Sequence, residues 1–82
     1  MKMTDLHFDL LTKMIRDHAP ENINDYVEQA RTHELSEKRI RWDLLWNVPH
    51  ATRVVWFDAI YQYCDDTHID TALKAVVKKL LA

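Results

Sequence analysis

A chain of 82 residues with 13 acidic side chains against 11 Lys and Arg, a formal charge of −2 and no glycine excludes several functional classes before any motif is sought. Phosphate-cradling loops, dinucleotide fingerprints and G-x-S-x-G nucleophile elbows all need backbone that a Cβ would obstruct, so none can be present. The mixed charge also lacks the basic excess of a general nucleic-acid binder, while a hydrophobic content of 48% with three Trp, three Tyr and two Phe supplies the material for one core, so residues 1–82 are expected to form a single domain.

The N-terminal stretch interrupts its apolar residues with Asp5, His7 and Asp9, which is not the shape of a signal peptide. No apolar run approaches the roughly 20 residues that span a bilayer. The single cysteine, Cys64, permits no intramolecular disulfide, in keeping with a reducing compartment. A cytoplasmic protein without membrane contact is therefore expected. The first helix is predicted from Thr4 or Asp5 to His18, with Thr4 as N-cap, acidic residues in its N-terminal half and Ala19-Pro20 as its stop. Leu6, Leu10 and Met14 form one stripe on it; Phe8, Leu11 and Ile15 form another, about 100° or more around the axis. So wide an apolar arc requires two neighbours, or one neighbour and a partner.

A weaker second helix is predicted over about Glu21–Thr32, starting from Pro20 or Asn22 and burying Ile23, Tyr26, Val27 and Ala30. Ser36 reads as the N-cap of a third, which runs to about Asn47 before the break at Val48-Pro49. The fourth, from His50 or Ala51 to Cys64, is apolar almost all round, with Val54, Trp56, Phe57, Ile60, Tyr61 and Tyr63, and is predicted to be the central helix. Thr67-His68-Ile69-Asp70 matches a capping box opening a fifth helix. That helix should turn Ile69, Leu73, Val76, Val77 and Leu80 inward. Asp70 and Lys74 are spaced for an i,i+4 ion pair, and Lys78 and Lys79 complement the C-terminal dipole. The expected fold is all-α, a compact bundle of five short helices without a sheet.

Candidate functional residues lie mainly on the third helix. Ile40, Leu44 and Val48 share one face, whereas Trp42 and Trp46 point to roughly the opposite side. Either the helix is sandwiched so that both indoles are core, or Trp42 and Trp46, flanked by Lys38 and Arg39, form a partner-binding patch of the residue types enriched in interface hot spots. The cluster Lys38, Arg39 and Arg41 supplies an alternative, contact with nucleic-acid phosphate, although a solvated charged face is the better account of it. A helix-turn-helix reading fails, because the helix after Pro49 offers Arg53 alone among cations where base edges would be read by Arg, Lys, Asn or Gln.

Cys64, Asp65, Asp66, His68 and Asp70 invite a metal or acid–base reading, with an enzyme centred on Asp65, Asp66 and His68. One Cys and one His fall short of the set zinc prefers, and two carboxylates ahead of a helix are already explained by its dipole. His7, His18, His33, His50 and His68 form no i,i+4 pair; His7 and His18 fall near the apolar arc of the first helix, about 16 Å apart along its axis. No catalytic residue, metal or cofactor is assigned. Tyr61-Gln62-Tyr63-Cys64-Asp65-Asp66-Thr67-His68-Ile69-Asp70-Thr71-Ala72-Leu73 resembles the C-terminal part of small uncharacterised proteins encoded by phages and prophages of enteric bacteria. That resemblance implies an accessory factor that binds a host or phage protein. The expected function is thus a non-enzymatic module for protein–protein contact, with a different protein or with a second copy in a homodimer.

Overall fold

The computed structural model describes residues 4–60 and 65–81. Within them the chain forms five helices in order, α1 (Asp5–His18), α2 (Ile23–Thr32), α3 (Glu37–Trp46), α4 (His50–Ile60) and α5 (Asp66–Leu81), with no strand among the described residues. Short polar side chains set the first three starts. Thr4 Oγ1 accepts from the His7 N–H at 3.2 Å, Asn22 Oδ1 from Asp25 at 3.2 Å and Ser36 Oγ from Arg39 at 3.1 Å, each satisfying an N–H that the helix cannot. The break at Val48-Pro49 falls where the sequence places it, and Pro49 O accepts the Arg53 N–H that opens α4.

The end of α2 shows how a chain without glycine turns. Glu34 has φ 62, the one positive value among the described residues. Glu34 N–H donates to Arg31 O and Leu35 N–H to Ala30 O, the paired bonds of a Schellman motif, and Leu35 packs on Ala30 and Val27 as its hydrophobic closure. A left-handed conformation that glycine would adopt freely is imposed here on a residue with a Cβ.

The start of α5 departs from the capping-box expectation. Asp65 is the capping residue: its Oδ1 accepts from the His68 N–H at 3.0 Å, so the helix begins one residue before Thr67. Asp70 does not reach back to its own helix end, and it does not pair with Lys74. Both of its oxygens turn to α3, because an interhelical guanidinium offers a stronger charge-assisted bond than an exposed lysine one turn away.

The hub of the bundle is also displaced from its expected position. α5 packs against α1, α2 and α3, whereas α4 packs chiefly on α1. Ile69, Leu73 and Val76 of α5 are fully buried against Leu11, Ile15, Leu44, Leu45 and Val48. A smaller cluster of Val27, Ala30 and Ile40 joins α2 to α3. α4 buries Trp56 and Ile60, but Ala51, Thr52, Val55 and Ala59 face outward. An apolar sequence all round the helix therefore reflects a face left uncovered as much as a central position. Tyr61, Tyr63 and Cys64 lie outside the described residues.

Candidate functional site

The two indoles of α3, one turn apart, have different fates. Trp42 is half-buried against the main core, and its Nε1–H donates to Asp70 Oδ1 at 2.8 Å. Arg41 grips the same carboxylate in bidentate fashion, Nε to Oδ1 at 2.7 Å and an Nη to Oδ2 at 2.8 Å. The Arg41 and Asp70 side chains are only 11% and 19% exposed. The Arg41 bonds, reinforced by the Trp42 N–H, hold the Asp70 carboxyl down to about 2, against partial burial, which works the other way. Arg41, read from sequence as part of a solvated cationic face, is instead an internal clasp between α3 and α5.

Trp46 is 55% exposed. The guanidinium of Arg53 stacks over its ring at 4.1 Å from the centroid, while Arg53 Nε donates to Val48 O at 2.9 Å. One cation thus caps a free carbonyl at the end of α3 and covers one face of an exposed indole. Lys38 and Arg39 are exposed, but they do not flank Trp46 in this way: Arg39 reaches Asp43 at 3.5 Å on its own helix, and Lys38 lines a shallow hollow with Trp42, Asp66 and Asp70. Of the four residues singled out from sequence, Lys38 and Trp42 line one hollow, Arg39 lies beside Asp43, and Trp46 stacks with Arg53. Arg53, the residue beside Trp46, was legible only as an isolated cation.

A further uncovered apolar feature lies elsewhere, between α1 and α4. A groove of about 560 Å³ runs between Leu10 and Met14 on one side and Ala51, Val55 and Ala59 on the other, over Trp56. Trp56 is buried and donates its Nε1–H to His7 O at 3.2 Å, tying the helices together beneath the groove. Leu10 is 48% and Val55 73% exposed, and Leu6, one turn from Leu10, is 67% exposed. The apolar arc of α1 thus divides: Phe8, Leu11 and Ile15 meet the core, and Leu6 and Leu10 remain in solvent. Lys13, Asp17, His7 and His18 complete the groove's walls and ends.

Asp65 and His68 meet at 2.7 Å, but both are exposed and the contact is local to the start of α5. The His68 backbone N–H, then its ring, lowers the Asp65 carboxyl below its ordinary range. Among the described residues no three His, Cys, Asp or Glu side chains converge where a metal ion could sit. No helix of the described residues is long and apolar enough to cross a membrane. No protein-family model matches this chain, and no curated protein or solved structure is significantly similar to it.

Proposed function

We propose that this protein is a non-enzymatic interaction module of the cytoplasm that works by receiving a helix of another protein in the groove between α1 and α4. The observation that carries this reading is the juxtaposition of Leu10 and Val55, both large and substantially exposed, across an apolar groove with a buried tryptophan as its floor, with Leu6 exposed one turn from Leu10. Contiguous exposed apolar surface on a small protein marks an interaction site, and a slot between two helices suits the apolar stripe of a third. The resemblance of the α5 region to phage- and prophage-encoded proteins makes a host or phage protein the partner class. Trp46 under Arg53 offers a second exposed anchor of the hot-spot type. Nucleic acid is less well supported, since Arg41 is tied to Asp70 and Arg39 lies beside Asp43, which leaves Lys38 alone of the basic cluster without an ion-pair partner among the described residues.

The test is affinity capture from the source cell with wild type and Val55→Arg as paired baits. Val55 is exposed, so the substitution should change stability by no more than about 0.5 kcal/mol while placing a charge in the groove. A binder retained by wild type and lost by Val55→Arg, with the circular dichroism of the two baits superimposable, supports the proposal. Identical captures by both baits, or salt-sensitive retention of nucleic acid alone, count against it.

A further inference from the structure

The face between α3 and α5 holds a second groove, of about 460 Å³, which shares no residue with the first. Its floor is aliphatic: Leu81 packs on the Val27, Ala30 and Ile40 cluster, and Val77 lies half-buried beside it. Its edge is cationic, with Lys74 and Lys78 both exposed and one turn apart on α5.

What distinguishes these lysines is that their neighbours are already neutralised. Arg31 reaches Glu28 and Glu37 at 2.8 Å each, and Arg41 is held by Asp70. Asp70, the carboxylate that helical spacing offers to Lys74, is turned away to α3, and neither Lys74 nor Lys78 ion-pairs with any described residue. A chain of net charge −2 thus presents two uncompensated ammonium groups along an apolar slot. Their spacing is that of one helical turn, roughly 6 Å between Cβ atoms, and carboxylates at i and i+4 of an opposing helix repeat at the same interval. An amphipathic helix with an acidic edge beside its apolar stripe meets both the floor and the rim. Nucleic acid fits less well, because the floor has no aromatic platform on which bases stack.

We infer that the α3–α5 groove is a second docking site, selective for an acidic amphipathic helix of a partner protein and independent of the groove between α1 and α4. The probes are two labelled, end-capped peptides of about 15 residues, long enough for some helix in isolation. They share one leucine stripe and differ only in carrying Glu or Lys at the flanking i,i+4 positions. Fluorescence anisotropy should show saturable binding of the Glu peptide, weakened by added salt, and little binding of the Lys peptide. Amide resonances of Val77 and Leu81 should shift on titration. Lys74→Gln with Lys78→Gln, which avoids the like-charge strain of a reversal, should weaken binding about tenfold, and Val55→Arg should leave it unchanged. The proposal is overturned if the two peptides bind alike, if neither binds, or if the glutamine variant binds as wild type does. It is also overturned if the wild-type chain self-associates in sedimentation and the glutamine variant does not, which would make a second copy the occupant.

Discussion

Replacing Asp70 with Asn removes the charge and the acceptor that Oδ2 offers to Arg41, while the amide keeps an oxygen for Trp42 Nε1 and the side-chain volume is conserved. The loss falls on Arg41, which stays in a largely enclosed position without its counter-charge. The native carboxyl titrates at about 2 against an ordinary 3.8, and at about 1.4 kcal/mol per pH unit the ionised form contributes on the order of 2 kcal/mol to stability. Because the folded value is the lower one, the unfolded chain binds the proton first as pH falls. The contribution is therefore complete above the unfolded value and is lost as pH drops through about 2. Urea unfolding followed by far-ultraviolet circular dichroism should show Asp70→Asn less stable by about 2 kcal/mol near neutrality. The gap to wild type should narrow progressively as pH falls below about 4, where wild type begins to lose the same charge. Asp70→Ala should cost more, about 3–5 kcal/mol, since it also strands the Trp42 N–H. A variant within about 0.5 kcal/mol of wild type at neutrality, or a gap that does not change with pH, would refute the account of the clasp.

Ile60→Ala should destabilise by about 2–5 kcal/mol, because Ile60 is fully enclosed, and the half-buried Phe57 should cost less on truncation; an unchanged melting temperature for Ile60→Ala would show that α4 is not anchored to the core. Glu34→Gly should stabilise by up to about 1 kcal/mol, since relief of left-handed strain, about 1–2 kcal/mol, outweighs most of the glycine entropy loss. A lower midpoint in urea would contradict the Schellman geometry. Trp46→Ala should leave the fold intact and cost about 1 kcal/mol, the scale of an exposed cation–π contact, and a loss above about 3 kcal/mol by the same assay would mean that the indole belongs to the core.

Features governed by neighbours in sequence were legible before folding was known. Thr4, Asn22 and Ser36 cap helices because each needs only an N–H two or three residues ahead, and Pro49 breaks the chain by its own ring. Features governed by distant partners were not. Asp70 satisfies a local capping pattern and a local lysine pairing, yet Arg41 and Trp42, brought in from α3, take both of its oxygens. The two indoles one turn apart look equivalent by periodicity, but only Trp42 finds an acceptor and an apolar wall. The composition of α4 records that many of its faces are apolar without recording which neighbour covers each. The groove beside α1 is in that sense a property of the packing, and Leu6, Leu10 and Val55 carry no mark of it individually.

The position of α5 as the hub has a consequence for how the chain is made. Synthesis at about 5–20 residues per second delivers α1, α2 and α3 before the helix on which all three rest. Leu11, Ile15, Leu44 and Leu45 therefore wait without their principal cover until Ile69, Leu73 and Val76 arrive. Local helices as short as α2 and α3 are marginal alone, so the nascent segment gains little order from early emergence. The packing of α1, α2 and α3 is then complete only once the sixteen-residue α5 has been made, and ribosome-bound chains lacking it should be the species that chaperones and proteases recognise.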